Sequence, residues 1–213
     1  DQSGNRFWNV GYTMHQNETV DDVDFLSSLA QYLQEEYNLS SQNTFSTGMS
    51  NGGDISYMLA CQVPHIFSAI APVAGCMMTW IYESCNPSIS VPVFEIHGTN
   101  DNVTWWEGDP NDLGGWGPYL GTEEGIYFWV ETNECESSED ISGPNTNTIN
   151  HRYFDCIDNT EVWLYEVVGG GHDWPSYSSQ EIWSFFSQYT FNSGDVNVDG
   201  VINIQDIIIT INL

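Results

Sequence analysis

A pentapeptide of the form Gly-x-Ser-x-Gly, with Gly48, Ser50 and Gly52, lies between residues 43–47, which have the pattern of a β-strand, and a helix-like run, 53–61. Small residues around a serine permit the sharp strand-to-helix turn that projects its hydroxyl from the edge of a sheet. An ordinary turn has the same composition. The strand before it and the helix after it favour Ser50 as a nucleophile.

Two further polar residues follow Ser50 just beyond strand-like segments. Residues 91–97 are rich in apolar and β-branched side chains and precede Asp101, while residues 161–168 alternate and precede the glycine-rich loop that contains His172. A serine needs an imidazole to take its proton and a carboxylate to fix the tautomer of that imidazole. The order in the chain predicts Ser50 as nucleophile, Asp101 as acid and His172 as base.

Each of these residues also has a simpler interpretation. Asp101 lies in a Gly-Thr-Asn-Asp-Asn stretch typical of turns, and His172 would be a loop histidine if it had no partner. Asp173 is a rival to Asp101 as the acid. His97, at the end of a strand, is better interpreted as a buried structural histidine than as a base.

Four sequence blocks occur within roughly residues 20–191. They are GMSNGG, APVAG, IHGTND and GGGHDWP, which start at Gly48, Ala71, Ile96 and Gly169. Together and in this order they resemble the polyhydroxybutyrate depolymerase and feruloyl esterase family of secreted α/β-hydrolases. The resemblance implies the triad Ser50, Asp101 and His172, with the backbone N–H of Asn51 in the oxyanion hole.

The fold class that this resemblance implies is the α/β-hydrolase fold, a mostly parallel sheet with helices on both faces, over residues 1–191. Family members begin with several strands and a loop that supplies a second oxyanion donor. We therefore expect this domain to be N-terminally incomplete, with the missing segment as a candidate partner. The predicted strands are residues 43–47, 67–73, 91–97 and 161–168, and the predicted helices are 20–37, 53–61, 119–132 and 178–189.

Two long segments have no regular pattern. Residues 134–148 are polar, which predicts an exposed loop. Residues 105–118 are rich in aromatic residues and glycine, and they either line the substrate site or form a packed loop. The candidate substrate-binding side chains, which would stack on a sugar, an aromatic acid or a polymer, are Trp105, Trp106, Trp116 and Trp174.

The charge of the chain excludes some partners. Lysine and arginine total 2 against 30 acidic residues, a formal net charge of −28. Nucleic acid and anionic membrane surfaces attract basic proteins, so neither is an expected partner. The sequence also lacks an apolar run of the roughly twenty residues that a membrane span requires.

Five cysteines without zinc-site spacing predict disulfides in an oxidising compartment, and hence a secreted protein. The sequence-local pairs are Cys76 with Cys85 and Cys135 with Cys156, and the second pair also resembles the family pattern. Cys61 is then unpaired, with its partner expected in the missing N-terminal portion. Five buried thiols are the alternative.

The C-terminal residues 192–213 form a second predicted unit. Its sequence GDVNVDGVINIQDII, which starts at Gly194, resembles one dockerin type I repeat. Oxygen ligands at alternate positions around a glycine, Gly200, are typical of an EF-hand calcium loop. A cohesin-like protein is the partner that the resemblance implies, although dockerins carry two repeats and one is present here. An Asp/Asn-rich linker without metal is the alternative. The predicted calcium ligands are Asp195, Asn197, Asp199, the carbonyl of Val201, Asn203 and Asp206.

Together these features predict a secreted serine esterase that forms an acyl-enzyme and needs no cofactor for catalysis. Its expected substrates are feruloyl or acetyl esters of polysaccharides. A polyhydroxyalkanoate depolymerase is the first alternative. A non-catalytic binding or structural module of an extracellular assembly is the second.

Overall fold

The computed structural model describes residues 6–190 and the backbone of residues 209–210. The predicted alternation of strands and helices is confirmed within these residues. The helices are α1 Asp22–Tyr37, α2 Asn51–Gln62, α3 Thr79–Ser84, α4 Thr122–Thr132 and α5 Ser178–Phe186. The strands are β1 Phe45–Met49, β2 Ala69–Val73, β3 Val93–Gly98, β4 Ser137–Ser142, β5 Thr148–Phe154, β6 Val162–Val167 and β7 Ile209–Thr210. The predicted calcium loop and the rest of the C-terminal unit, apart from residues 209–210 in β7, lie outside the described residues.

The strands form one sheet in the order β4-β5-β6-β3-β2-β1-β7. The central strands β1, β2, β3 and β6 run parallel, as does β7 beside β1, whereas β4 and β5 are antiparallel to their neighbours. The carboxyl ends of β1, β3 and β6 therefore lie along one edge of the sheet. Ser50, Asp101 and His172 follow these three ends.

Two apolar cores cover the faces of the sheet. All five residues of β2 are buried, as expected for a parallel strand covered on both sides. One core contains apolar residues of α1, α2, α3 and α4, and the other contains Ile182, Phe185 and Phe186 of α5. Along β3 the side chains alternate between these cores, with Val93 facing the first and Phe94 the second.

Helix α1 shows how local sequence fixes an element. The Asp21 side chain caps its start by accepting a hydrogen bond from the backbone N–H of Asp24 at 2.9 Å. Asn38 ends it in the left-handed conformation, with φ 51°. Among the helices of residues 6–190, none combines the length and the apolar character needed to cross a bilayer.

The prediction of an exposed loop over residues 134–148 is wrong, because this segment contains β4. Five of the six β4 residues are exposed, so the strand lacks the apolar alternation that would identify it. Pairing with β5 holds it in place and sets Glu139 opposite Arg152. The Arg152 guanidinium lies 2.8 Å from Glu139 and also pairs with Glu161. Exposed charge pairs therefore accompany a strand that apolar periodicity cannot reveal.

The disulfides confirm one predicted pair and correct the other. Cys135 is bonded to Cys156, as expected. Cys76 is a buried free thiol, and Cys85 is bonded instead to Cys61. Cys61 lies in the last turn of α2 and Cys85 directly after α3, and these helices pack together. The packing of α2 against α3 therefore brings Cys85 to Cys61, whose partner was expected in the missing N-terminal portion.

Candidate active site

Ser50 lies on a sharp turn between β1 and α2. Its backbone has φ 55° and ψ −121°, a strained combination for a residue with a side chain. A Cβ atom at Gly48 would lie 2.7 Å from the backbone of Gly52, and one at Gly53 would lie 2.9 Å from Cα of Gly75. The glycines that surround the serine are therefore required by close backbone contacts, as in a nucleophile elbow.

Asp101 is fixed by the turn that follows β3. Its Oδ1 accepts hydrogen bonds from the backbone N–H groups of Val103 at 2.8 Å and Thr104 at 2.9 Å. The residue is only 5% exposed. Asp101 is thus a turn-forming aspartate, as its simpler interpretation proposed, and its second carboxylate oxygen can accept from a partner outside the turn.

That partner is His172, on the glycine-rich loop after β6. His172 Nδ1 lies 2.7 Å from Asp101 Oδ2. Since a carboxylate can only accept, Nδ1 carries the proton and Nε2 is left as the basic nitrogen. Burial acts to raise the pKa of Asp101, but hydrogen bonds from His172 and the Val103 N–H, and the charge of His172, outweigh it and hold the pKa below its usual value.

The His172 loop packs directly on the end of β3. A Cβ at Gly98 would lie 2.4 Å from the carbonyl oxygen of Gly170, so only glycine permits this approach. The backbone N–H of Asn100 donates to the same carbonyl at 2.8 Å, and the Gly169 N–H donates to the Thr99 hydroxyl at 2.8 Å. These contacts set the separation between the two loops.

Thr104 is a residue of this site that the sequence did not single out. Its Oγ1 lies 3.1 Å from Asp101 Oδ2 and 3.3 Å from His172 Nδ1, and it donates to the carbonyl of Ala74 at 2.9 Å. Its place three residues after Asp101, in an Asp-initiated turn, is the signal that could have identified it. The rival acid Asp173 is exposed, while the hydrogen-bonding nitrogen of His172 faces Asp101.

Asn51 begins α2, where the backbone N–H groups of the first turn have no acceptor within the helix. Its side chain makes a second, unpredicted contact. The Oδ1 atom accepts from the backbone N–H of Trp8, and Nδ2 donates to the Trp8 carbonyl at 3.0 Å. The N-terminal segment is therefore held beside the serine turn.

The predicted substrate-binding tryptophans are all half-buried, but they lie in different surroundings. Trp106 and Trp116 pack against the core on the α2 side, whereas Trp174 packs against the core on the α5 side. Trp105 donates its backbone N–H to the Tyr119 hydroxyl at 2.9 Å. Part of the aromatic content of residues 105–118 thus serves packing, in line with the simpler of its two interpretations.

Asp54, on the helix that starts after Ser50, is a second buried carboxyl group. Its Oδ1 accepts from the Cys76 N–H at 2.7 Å, and its Oδ2 accepts from the Tyr12 hydroxyl. Burial raises the pKa of Asp54 to about 7, although these hydrogen bonds oppose the shift. Asp54 is therefore partly protonated near neutral pH.

The sheet order and the arrangement of these loops are those of the α/β-hydrolase fold. Acetyl xylan esterase from Aspergillus awamori shares the fold, with a TM-score of 0.56, 15% identity, and coverage of 78% of this chain and 66% of that chain. Esterase PE8 has a TM-score of 0.51 at 16% identity, over 78% of this chain and 60% of the other. The predicted fold class is thereby confirmed. Residues 1–109 match the model of the prolyl oligopeptidase family, and the chain belongs to that family.

The curated relatives include feruloyl and acetylxylan esterases. Feruloyl esterase B of Piromyces equi is 25% identical over 187 residues, which are 86% of this chain and 34% of that protein. The bifunctional acetylxylan esterase/xylanase of Neocallimastix patriciarum is 26% identical over 184 residues, 84% of this chain and 25% of that protein. Feruloyl esterase D of Neurospora crassa is 25% identical over 81% of this chain and 57% of its own length. The chain thus spans between a quarter and about three-fifths of these relatives.

Asp54 gives the stability of the protein a specific pH dependence. Its folded-state pKa of about 7 lies above the ordinary value of 3.8, so the folded state binds more protons between these pH values. The free energy of unfolding should therefore decrease as pH rises from about 4 to about 7, by up to about 4 kcal/mol from this residue. Urea unfolding at several pH values should show that Asp54→Asn removes this decrease.

The exposed residue Asp173 provides the matched control. Asp173→Asn makes the same chemical change at the surface and should keep the wild-type pH dependence. An Asp54→Asn protein with the full wild-type decrease would show that this carboxyl group is ionised throughout the range.

Proposed function

We propose that this chain is a serine esterase that hydrolyses carboxylic esters through an acyl-enzyme. The observation that carries the proposal is the 2.7 Å hydrogen bond between His172 Nδ1 and Asp101 Oδ2. It lies at the sheet edge where the strained turn presents Ser50. An oriented imidazole with a free Nε2 and a serine on such a turn are the groups that acyl transfer requires.

In the proposed reaction, Ser50 Oγ attacks the ester carbonyl carbon while His172 Nε2 takes its proton. The N–H of Asn51 stabilises the oxyanion of the tetrahedral intermediate. The intermediate expels the alcohol, which receives the proton from His172, and leaves the acyl group on Ser50. Water then attacks the acyl-enzyme with His172 again as base, releasing the acid and restoring Ser50. Asp101 holds the imidazole and stabilises its cationic form.

We propose feruloyl or acetyl esters of polysaccharides as the substrate class. The support is the set of relatives named as feruloyl and acetylxylan esterases, at 23–26% identity. Trp105, Trp106 and Trp174 are the proposed contacts for an aromatic acid or a sugar ring. The two disulfides favour an extracellular location, since such bonds persist in oxidising compartments.

We also propose that the C-terminal segment, residues 192–213, binds one calcium ion. The support is the spacing of oxygen-bearing residues, which follows the twelve-residue pattern of an EF-hand loop. A cohesin-like protein remains the proposed partner for this unit. The proposed ligands are Asp195, Asn197, Asp199, Val201, Asn203 and Asp206.

The triad assignment predicts a distinct pattern among point variants. Hydrolysis of p-nitrophenyl acetate should disappear in Ser50→Ala, because no other group on this edge would be acylated. Asp101→Asn should lower kcat by about 10⁴-fold, as an amide favours the wrong imidazole tautomer. The control Asp173→Asn should keep wild-type kcat. A loss of activity in Asp173→Asn but not in Asp101→Asn would reassign the acid.

A comparison of substrates separates the candidate activities. Methyl ferulate or acetylated xylan should be cleaved at a higher kcat/KM than a polyhydroxybutyrate film or a proline-containing peptide. Preference for the film would support the polyhydroxyalkanoate depolymerase alternative, and preference for the peptide would reject an esterase. If none of these four substrates is hydrolysed faster with the protein than in buffer alone, a non-catalytic module would be favoured.

The calcium proposal is tested by isothermal titration calorimetry of the full chain after removal of metal with a chelator. Wild-type protein should bind one calcium ion, and Asp199→Ala should weaken its affinity at least about tenfold, because this carboxylate occupies a ligand position. Asp173→Ala is the charge-matched control and should bind normally. Equal calcium affinity in all three proteins would place the ion elsewhere on this acidic chain.

A further inference from the structure

Two ionisable side chains, Glu95 and His97, are buried on one face of β3 behind Asp101. They are two residues apart and therefore project to the same side of the strand, toward α2. Glu95 is 0% exposed and His97 is 1% exposed. Ionisable groups are rarely buried unless they are paired and hydrogen-bonded. The proposed catalytic steps do not use either group, so their presence requires another reason.

The hydrogen bonds of His97 determine where one of its protons lies. Its Nε2 is 2.8 Å from the carbonyl oxygen of Thr104 and 3.6 Å from Asp101 Oδ2. A carbonyl oxygen can only accept a hydrogen bond, so Nε2 carries a hydrogen. The other nitrogen, Nδ1, lies 3.0 Å from Glu95 Oε1. His97 therefore connects Glu95 to the turn that contains Asp101.

Two unprotonated acceptors would repel each other at the 3.0 Å between Glu95 Oε1 and His97 Nδ1, so these atoms share one proton. Glu95 Oε2 accepts from the Tyr57 hydroxyl at 3.0 Å, and Oε1 accepts from the Gly75 N–H at 3.3 Å as well as facing His97. The proton between Oε1 and Nδ1 gives either a carboxylate with an imidazolium or a carboxylic acid with a neutral imidazole. In both forms the pair is neutral overall and Nε2–H points at Thr104.

The Nε2–H group of His97 holds Thr104, which is the residue that completes the Asp101 turn. Thr104 donates its backbone N–H to Asp101 Oδ1, and its hydroxyl lies 3.1 Å from Asp101 Oδ2. We propose that Glu95 and His97 form a positioning pair, which anchors the Thr104 carbonyl and thereby holds Asp101 in line with His172. Its effect on turnover rests on the proposed esterase function, whereas its protonation state does not.

The surroundings of the pair favour retention of the Nε2 proton. Burial lowers the pKa of His97, but the hydrogen bond and charge of Glu95, the Thr104 carbonyl and the charge of Asp101 raise it to a net value above the ordinary one. The Trp106 ring also packs against the imidazole in a T-shaped contact, with 6.0 Å between ring centroids. The titratable groups that face the pair from the neighbouring elements are Asp54 and Tyr57 on α2, Cys76 after β2 and Asp101 after β3, and Asp101 is in turn bonded to His172 after β6.

The first test uses the unmodified protein and is independent of activity. Nitrogen-15 NMR of the histidine rings from pH 5 to pH 9, with His97 assigned by comparison with His97→Gln, reports the proton on Nε2. We expect this nitrogen to remain protonated throughout. Loss of the proton with a midpoint near the ordinary histidine pKa of about 6.5 would overturn the proposal.

The second test compares two changes at Glu95 of similar size. Glutamine can donate its amide N–H to His97 Nδ1 and accept from Tyr57, and it loses only the longer hydrogen bond from the Gly75 N–H, so Glu95→Gln keeps Nε2–H on the Thr104 carbonyl. Leucine can do neither. We expect Glu95→Leu to lower kcat by about 10–100-fold with KM nearly unchanged, because small displacements of a catalytic group act on turnover. Glu95→Gln should stay within about threefold of wild type.

Proton NMR distinguishes positioning from a general loss of stability. The low-field resonance of the His172 Nδ1 proton should persist in wild type, in Glu95→Gln and in the destabilised core variant Phe94→Leu, and should be lost in Glu95→Leu. Equal kcat and an equal resonance in the Leu and Gln variants would reject the pair as a positioning device. If Glu95→Leu does not fold, the nitrogen-15 NMR titration of His97 in the wild-type protein tests the proposal by itself. A Ser50→Ala protein with full ester hydrolysis would reject the esterase function without affecting the titration.

Discussion

The contact between the end of β3 and the loop after β6 is the constraint on which the candidate active site depends. Asp101 and His172 are 71 positions apart in sequence, and neighbouring parallel strands bring their loops to one edge. Gly98 permits the loop backbone to lie where a Cβ would be 2.4 Å from the Gly170 oxygen. A larger residue would separate the loops, and the hydrogen bond between the carboxylate and the imidazole would be lost.

Strand β3 serves two purposes through its two faces. Phe94 and Ile96 complete the apolar core beneath α5, while Glu95 and His97 occupy the opposite face, where apolar side chains would be the usual choice. The cost of burying these ionisable groups is offset by hydrogen bonds to Tyr57, Gly75 and Thr104. The same strand therefore supports the fold and the orientation of the residue at its end.

Local sequence patterns were sufficient for the features that depend on neighbouring residues. The strand–turn–helix around Ser50 and the strands before Asp101 and His172 follow from apolar periodicity and glycine placement. The order of Ser50, Asp101 and His172 also predicted one distant contact, but several others were missed. Strand β4 is polar and is held by pairing with β5, the Cys61–Cys85 bond follows from the packing of α2 on α3, and the Trp8 contact with Asn51 joins segments 43 positions apart. The sequence identified His97 as buried but not its link to Thr104.

The most direct test of the central claim is covalent labelling with an organic fluorophosphonate, followed by mass spectrometry of the intact chain and of its chymotryptic peptides. An activated serine forms a bond from its oxygen to phosphorus and releases fluoride. We expect one label per chain, located on Ser50, and a much slower reaction in His172→Ala because the base that takes the Ser50 proton is absent. Labelling of a different residue, or an equal rate in His172→Ala, would show that Ser50 is not activated by His172.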